Sequence, residues 1–329
     1  MNTAVKITAY AAVLAAAFGT AYGVGVGVDP VNPEPAAHGT HATEDGADAG
    51  GKRAGGKEGP AAEANRPGGL QSAEGGYAVD LLTPRVPAGR EADLEFVIRD
   101  DRGEALTSFT REHGKDLHLI VASRDLNTYR HLHPVRSADG TWSTPVELPQ
   151  AGDYRIFADF TPGADRGGEA RNLTLGTDLA VSGAYRPEAV PAPARTDTVD
   201  GYAVTLDGGL RPGAAEELRL SVSKDGRAVT DLQPYLGAYG HLVALRAGDL
   251  GYLHVHPNGE PGDGKTAPGP EVSFTATAPS SGTYRLFLDF QHEGKVRTAE
   301  FTVRAGGATA PSAPAEAPSD GAGEDGHQH

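Results

Sequence analysis

The chain contains no cysteine, so neither a disulfide nor any thiolate-based metal or redox site can form in it. Its single methionine is Met1, which excludes thioether copper centres as well. Basic residues are outnumbered, 29 Lys and Arg against 44 Asp and Glu, for a formal net charge of −15. That balance argues against nucleic acid as a partner, because phosphate is bound chiefly through Lys and Arg. An acidic surface attracts divalent cations only diffusely. Gly-x-Ser-x-Gly, phosphate-cradling glycine loops and His-Glu-x-x-His are all missing, and with no cysteine nucleophile the chain reads as a binding protein and not an enzyme. Apolar residues are 38% of the sequence, enough for folded cores but not for a multi-span membrane protein.

One long uncharged run does exist. Residues 7–28, Ala- and Gly-rich, follow Lys6 and end at Asp29. The run is longer than the ~7–15 apolar residues of a secretory signal and close to the ~20 of a spanning helix. Cleavage near residue 17 or 21 and retention as an anchor are both compatible with it; its continuation to Asp29 favours the anchor. Because Lys6 precedes it and no Lys or Arg follows until Lys52, the bulk of the chain is expected outside the cytoplasm, membrane-anchored or secreted, touching the membrane only through residues 1–28.

Residues 29–75 and 306–329 hold Gly, Ala, Pro and charge with almost no large apolar side chain, and read as spacer and tail. Between them a motif set occurs twice. Gly76-Tyr-Ala-Val79 returns as Gly201-Tyr-Ala-Val204, and Gly152-Asp-Tyr-Arg-Ile-Phe-Ala-Asp-Phe160 as Gly282-Thr-Tyr-Arg-Leu-Phe-Leu-Asp-Phe290. Short β-prone runs bounded by Gly, Pro, Asp and Asn fill each copy. The expected fold is all-β: two tandem immunoglobulin-like antiparallel sandwiches, 76–184 and 201–305, joined by the Pro-rich linker 185–200.

Of the 12 histidines, six form matched sets: His118, His131 and His133 in the first copy, and His241, His254 and His256 in the second. In each set the first histidine precedes the His-x-His pair by 13 and 15 residues. Turn-forming residues stand between them. A four-residue loop at 124–127 pairs Ser123 with Thr128 and carries His118 to a position opposite His133; a loop at 247–250 sets His241 opposite His256. Opposed Cβ atoms lie ~4.5–5.5 Å apart, and residues two apart on a strand share a face. Three imidazoles therefore converge in each copy, as one ion per domain would require.

Asp159 and Asp289 occupy matched places at the end of the Tyr-Arg-x-Phe strand. They are expected either to join the imidazoles as ligands or to pair with Arg155 and Arg285. A site of imidazole and carboxylate suits Zn²⁺ or Cu²⁺. The competing reading is a structural His–Asp hydrogen-bond network in a surface module that binds a protein or an envelope polymer. The tail histidines, His38, His41, His327 and His329, read as loose metal collectors at most.

Together the His-x-His-Pro hairpins, the Tyr-Arg-x-Phe-x-Asp-Phe strand and the N-terminal apolar run resemble bacterial exported proteins of two immunoglobulin-like repeats described as heavy-metal-associated, and more distantly the YtkA-like sandwich domains. The resemblance covers roughly residues 76–305. It implies copper handling at the cell envelope, with His118, His131, His133 and their counterparts as ligands and an envelope metal transporter as a delivery partner.

Overall fold

The computed structural model describes residues 67–163, 171–253 and 255–306. The uncharged run 7–28, both tails and His254 lie outside the described residues. Among the described residues there is no helix, and none therefore long and apolar enough to cross a membrane.

Each repeat is a pair of facing sheets. In the first, Tyr77–Leu81, Glu91–Arg99 and Thr141–Glu147 form the centre of one sheet. The opposite sheet is built on Leu173–Ser182, Gly152–Pro162, His118–Ser123 and Tyr129–Leu132 in that order. The second repeat has the same plan: Tyr202–Gly208, Ala215–Lys224 and Glu271–Thr277 face a sheet of Tyr252–Leu253, His241–Arg246, Gly282–His292 and Lys295–Ala305. The fold is thus the immunoglobulin-like sandwich, in tandem. Both copies carry a corner that this architecture favours. Tyr154 donates its hydroxyl to Gln150 O at 2.9 Å, and Tyr284 donates to Ser280 O at 2.8 Å.

Alternation along the long central strands decides what each side chain covers. In Gly152–Pro162, Tyr154, Ile156, Ala158 and Phe160 point into the first sandwich. In Gly282–His292, Tyr284, Leu286, Leu288 and Phe290 point into the second. The odd members Phe157 and Phe287 face outward, yet neither is exposed (0% each). They enter a third apolar cluster that both repeats build together, in which Ile120 and Tyr129 of the first repeat meet Val243 and Tyr252 of the second.

This seam is reciprocal. Tyr129 stacks on Phe287 with ring centroids 4.0 Å apart and planes 4° from parallel, and Tyr252 meets Phe157 at 5.8 Å. Residue types i and j of one repeat thus touch j and i of the other, the signature of a two-fold interface, here within one chain. Leu126 and Leu250, in the matched Asp-Leu turns, hold left-handed backbone (φ 59° and 63°) and are fully buried in the same cluster. Such a conformation is unfavourable for a bulky side chain, and burial of both leucines at the seam offsets it. One element breaks the symmetry. Gly68 exchanges two backbone bonds with Tyr252 (2.9 and 3.0 Å), adding a short segment to that strand's edge.

Candidate metal centre

The first hairpin has the expected register. Ser123 N donates to Thr128 O, and Ala122, Val121, Ile120 and Leu119 pair with Tyr129, Arg130, His131 and Leu132. The strand carrying the carboxylate lies beside it, with Asp159 directly across from His118. In the second repeat Asp289 is likewise across from His241.

The second hairpin starts in the expected register, Leu245 with Tyr252 and Ala244 with Leu253, and then departs from it. Val255–Pro257 pairs with Glu271–Thr277 in the other sheet, and His256 stands opposite Thr275, exposed. The expected His241–His256 pairing therefore does not form. The reason is the crossing point between the sheets. In the first repeat the chain stays on its hairpin to Leu132 and reaches the other sheet at Val135; in the second it has already crossed by Val255. His254 lies outside the described residues.

Docking of the repeats provides what the second hairpin does not. His118, His131 and His241 each offer a ring nitrogen, and the three atoms lie within 4.8 Å of one another. His118 and His241, matched residues of the two repeats, stack at 5.5 Å with planes 13° apart. The first repeat thus brings His118, His131 and His133 together as expected, with ring centroids 5.3, 5.2 and 4.8 Å apart, whereas the second does not gather His241 with His256, and His241 instead joins the first repeat's imidazoles at the seam.

His133 flanks the group of three, its ring 4.8 Å from that of His131 and 5.2 Å from that of His118. His113 closes another side, 6.1 Å from His118 and 5.9 Å from His241. His113 has no counterpart in the second copy, where Leu236 stands in its place, so matching the copies does not single it out. The available signal was local. His113-Gly114 is a two-residue turn with both φ values positive (52° and 76°), and Leu236-Gly237 repeats it (54° and 77°); such turns hold their central residues at a fixed point between two strands.

The carboxylates part ways. Asp289, 2% exposed, accepts from His131 Nδ1 at 2.8 Å and from Thr298 Oγ1 at 2.6 Å. It orients an imidazole of the other repeat instead of standing in the group of three. Asp159 accepts from Thr174 Oγ1 at 3.1 Å, and burial raises its pKa to about 6. The alternative of arginine pairing is not what forms. Arg155 donates to Asp178 at 2.5 Å and to Gly69 O at 2.8 Å, and Arg285 pairs with Glu300.

Proton positions follow from the partners. His118 Nε2 faces Glu112 O at 3.2 Å; a carbonyl only accepts, so Nε2 is the donor. Burial, with the neighbouring His131 next in importance, lowers the His118 pKa to about 3, so the ring is neutral and Nδ1 is a lone pair. His131 Nδ1 faces the Asp289 carboxylate, which only accepts, so Nδ1 is the donor and the singly protonated ring carries its lone pair on Nε2. His118 Nδ1 and His131 Nε2 face each other at 3.1 Å, and with His131 singly protonated both are lone pairs. Two acceptors at that distance need a cation between them: a second proton on His131, or a metal ion. With metal–nitrogen bonds of ~2.0–2.1 Å, a 3.1 Å nitrogen separation subtends about 100° at the ion. The outer nitrogens are held by a carboxylate and a backbone carbonyl, the arrangement that fixes the tautomer of metal-bound histidine.

Two further nitrogens are unsatisfied. His241 Nδ1 and His133 Nε2 are buried without a hydrogen-bond partner. Burial also lowers the pKa of His133 to about 3 and that of His241 well below the ordinary value, which keeps both rings neutral. His292, by contrast, is fully engaged, with Tyr202 OH at 2.7 Å from Nδ1 and Asp231 at 3.0 Å from Nε2.

A comparison with curated proteins finds no match. Among solved structures, the chain is similar to the Escherichia coli adhesin FdeC (16% identity, 71% of this chain and 65% of that one, TM-score 0.22). It is also similar to a putative membrane anchored protein from Corynebacterium diphtheriae (12% identity, 74% and 61%, TM-score 0.20) and to invasin, a bacterial integrin-binding protein (13%, 69% and 39%, TM-score 0.19). The chain thus spans just under two thirds of FdeC. The family described as Domain of unknown function (DUF8832) matches twice, over residues 71–173 and 197–307, once per repeat. With more than half of its length so matched, the chain belongs to that family.

Proposed function

We propose that this protein is an extracytoplasmic metal-binding protein that takes one Cu²⁺ or Zn²⁺ ion on His118, His131 and His241, to buffer the metal at the cell envelope or pass it to a transporter there. The observation that carries the reading is the pair of ring nitrogens 3.1 Å apart, His118 Nδ1 and His131 Nε2, with both outer nitrogens already engaged. His241, with an orphaned buried Nδ1, supplies the third imidazole. Nitrogen donors without sulfur suit Cu²⁺ and Zn²⁺. Export is inferred from the uncharged N-terminal run that follows Lys6. A general base is not needed for this role, and the protein is read as a binder.

A second reading has an observation of its own. The His131–Asp289 bond joins the repeats, and a second proton on His131 would satisfy His118 Nδ1 without any metal. The histidines would then be structural and the tandem sandwich a surface interaction module. Electron paramagnetic resonance of the Cu²⁺-loaded full chain separates the two. Metal binding at the seam gives nitrogen splittings from several imidazoles that diminish in His131→Gln; a spectrum identical in that variant supports the interaction module.

A further inference from the structure

We propose that the ion acts as a clasp, so that metal binding and the docking of the two repeats form one coupled equilibrium. The proposal rests on the metal reading above and concerns what that site does to the molecule.

The ligand set is divided between two bodies. His118 and His131 belong to the first sandwich, His241 to the second, and Asp289 of the second sandwich holds the ring of His131. Each sandwich has its own core, and the seam is a third and separate cluster. Undocking would leave the sandwich interiors in place but reduce the site to two imidazoles and take away the carboxylate that orients one of them. Other polar ties cross the seam as well: Arg285 Nε of the second repeat donates to Leu126 O of the first at 3.2 Å, and Gly68 is bonded to Tyr252. The linker is tied to the first repeat, where Asn127 Nδ2 reaches Ala189 O at 3.2 Å and Asp125 accepts from Glu188 N at 3.3 Å.

A ligand that binds one state of an equilibrium shifts it toward that state, and the coupling is reciprocal. Anything that loosens the seam must therefore weaken ion binding, even when it lies away from every ligand. The Tyr129–Phe287 stack, with ring centroids 4.0 Å apart, is made by side chains that point out of both sandwich cores. Neither ring is a metal ligand. In the other direction, the ion should hold closed the two buried turns at Leu126 and Leu250, whose amides bond Ser123 O and Arg246 O.

The test is isothermal titration of Zn²⁺ into the detergent-solubilised full chain, using His118→Gln/His131→Gln/His241→Gln to subtract binding by the tails. Phe287→Ala and Tyr129→Ala should each weaken the subtracted binding, by about 10-fold, within the usual range of coupling between sites. Val222→Ala, which truncates a side chain inside the second sandwich, should leave it unchanged. Hydrogen exchange of wild type supplies a readout that needs no variant: Zn²⁺ should slow exchange at Leu126 and Leu250. Equal affinities in wild type and both seam variants, equal losses in all three variants, or unaltered exchange at both leucines would each overturn the clasp while leaving the metal site standing. Absence of any difference between wild type and the triple variant would overturn the metal reading itself.

Discussion

His131 and Asp289 are 158 residues apart in sequence and 2.8 Å apart in space, with both side chains only 3% exposed. The bond crosses the seam between the repeats and fixes the tautomer of His131, leaving Nε2 aimed at His118. Replacing Asp289 by Asn keeps the shape and removes the charge that makes the imidazole a stronger donor. Partners of this kind carry about 10–100-fold in metal affinity. Competition against a chromophoric chelator should show Asp289→Asn weaker by at least 10-fold or so at the low end of that range. Unchanged affinity would remove Asp289 from the account.

The metal-free chain should lose stability in acid. His118 is neutral when folded, its pKa lowered to about 3 first by burial and then by His131. The unfolded chain binds a proton at this residue near pH 6.5. Between those values the unfolded state holds more protons, so stability is fully present above about pH 6.5 and falls with pH down to about 3. For His118 alone the loss from pH 7 to pH 5 is on the order of 2 kcal/mol, and His133 and His241 act in the same direction. Urea midpoints measured with chelator present should fall across that interval, less steeply in His118→Gln. A flat profile would mean that these rings are not desolvated as described.

Gly69 should tolerate no side chain. Its φ is +71°, and a Cβ there would lie 2.3 Å from Phe157 Cδ1, against a ring held in the seam. Gly69→Ala should destabilise the chain by about 1–3 kcal/mol, the cost of a strained backbone position before steric displacement is added. Chemical denaturation checks the value. A wild-type midpoint would show that the segment at Gly68 and Gly69 does not pack on Phe157.

Much of the architecture was legible. The duplicated motifs and the turn residues between paired strands led to two sandwiches and to the first hairpin's register, because turn length and strand pairing are local. The second hairpin was misread after Leu253, since nothing in Leu-His-Val-His-Pro says where the chain crosses to the opposite sheet. Docking was hidden for a different reason. Phe157 and Phe287 belong to the Tyr-Arg-x-Phe strands, and strand alternation alone does not tell an inner face from an outer face buried by a second domain. Without that docking, His118 and His131 could not be joined to His241, and Asp289 could not be matched to a histidine of the other repeat.

A single ion site completed by both repeats differs from one site in each by the number of ions held. It is tested most directly by counting the Cu²⁺ ions held by the full chain and by its His118→Gln/His131→Gln/His241→Gln variant, side by side, after dialysis against a weak chelator. The variant should hold one ion fewer per chain, and His241→Gln alone should be enough to lose it. A variant that retains as many ions as the wild type, or a wild type that keeps its full complement after loss of His241, would contradict the shared site.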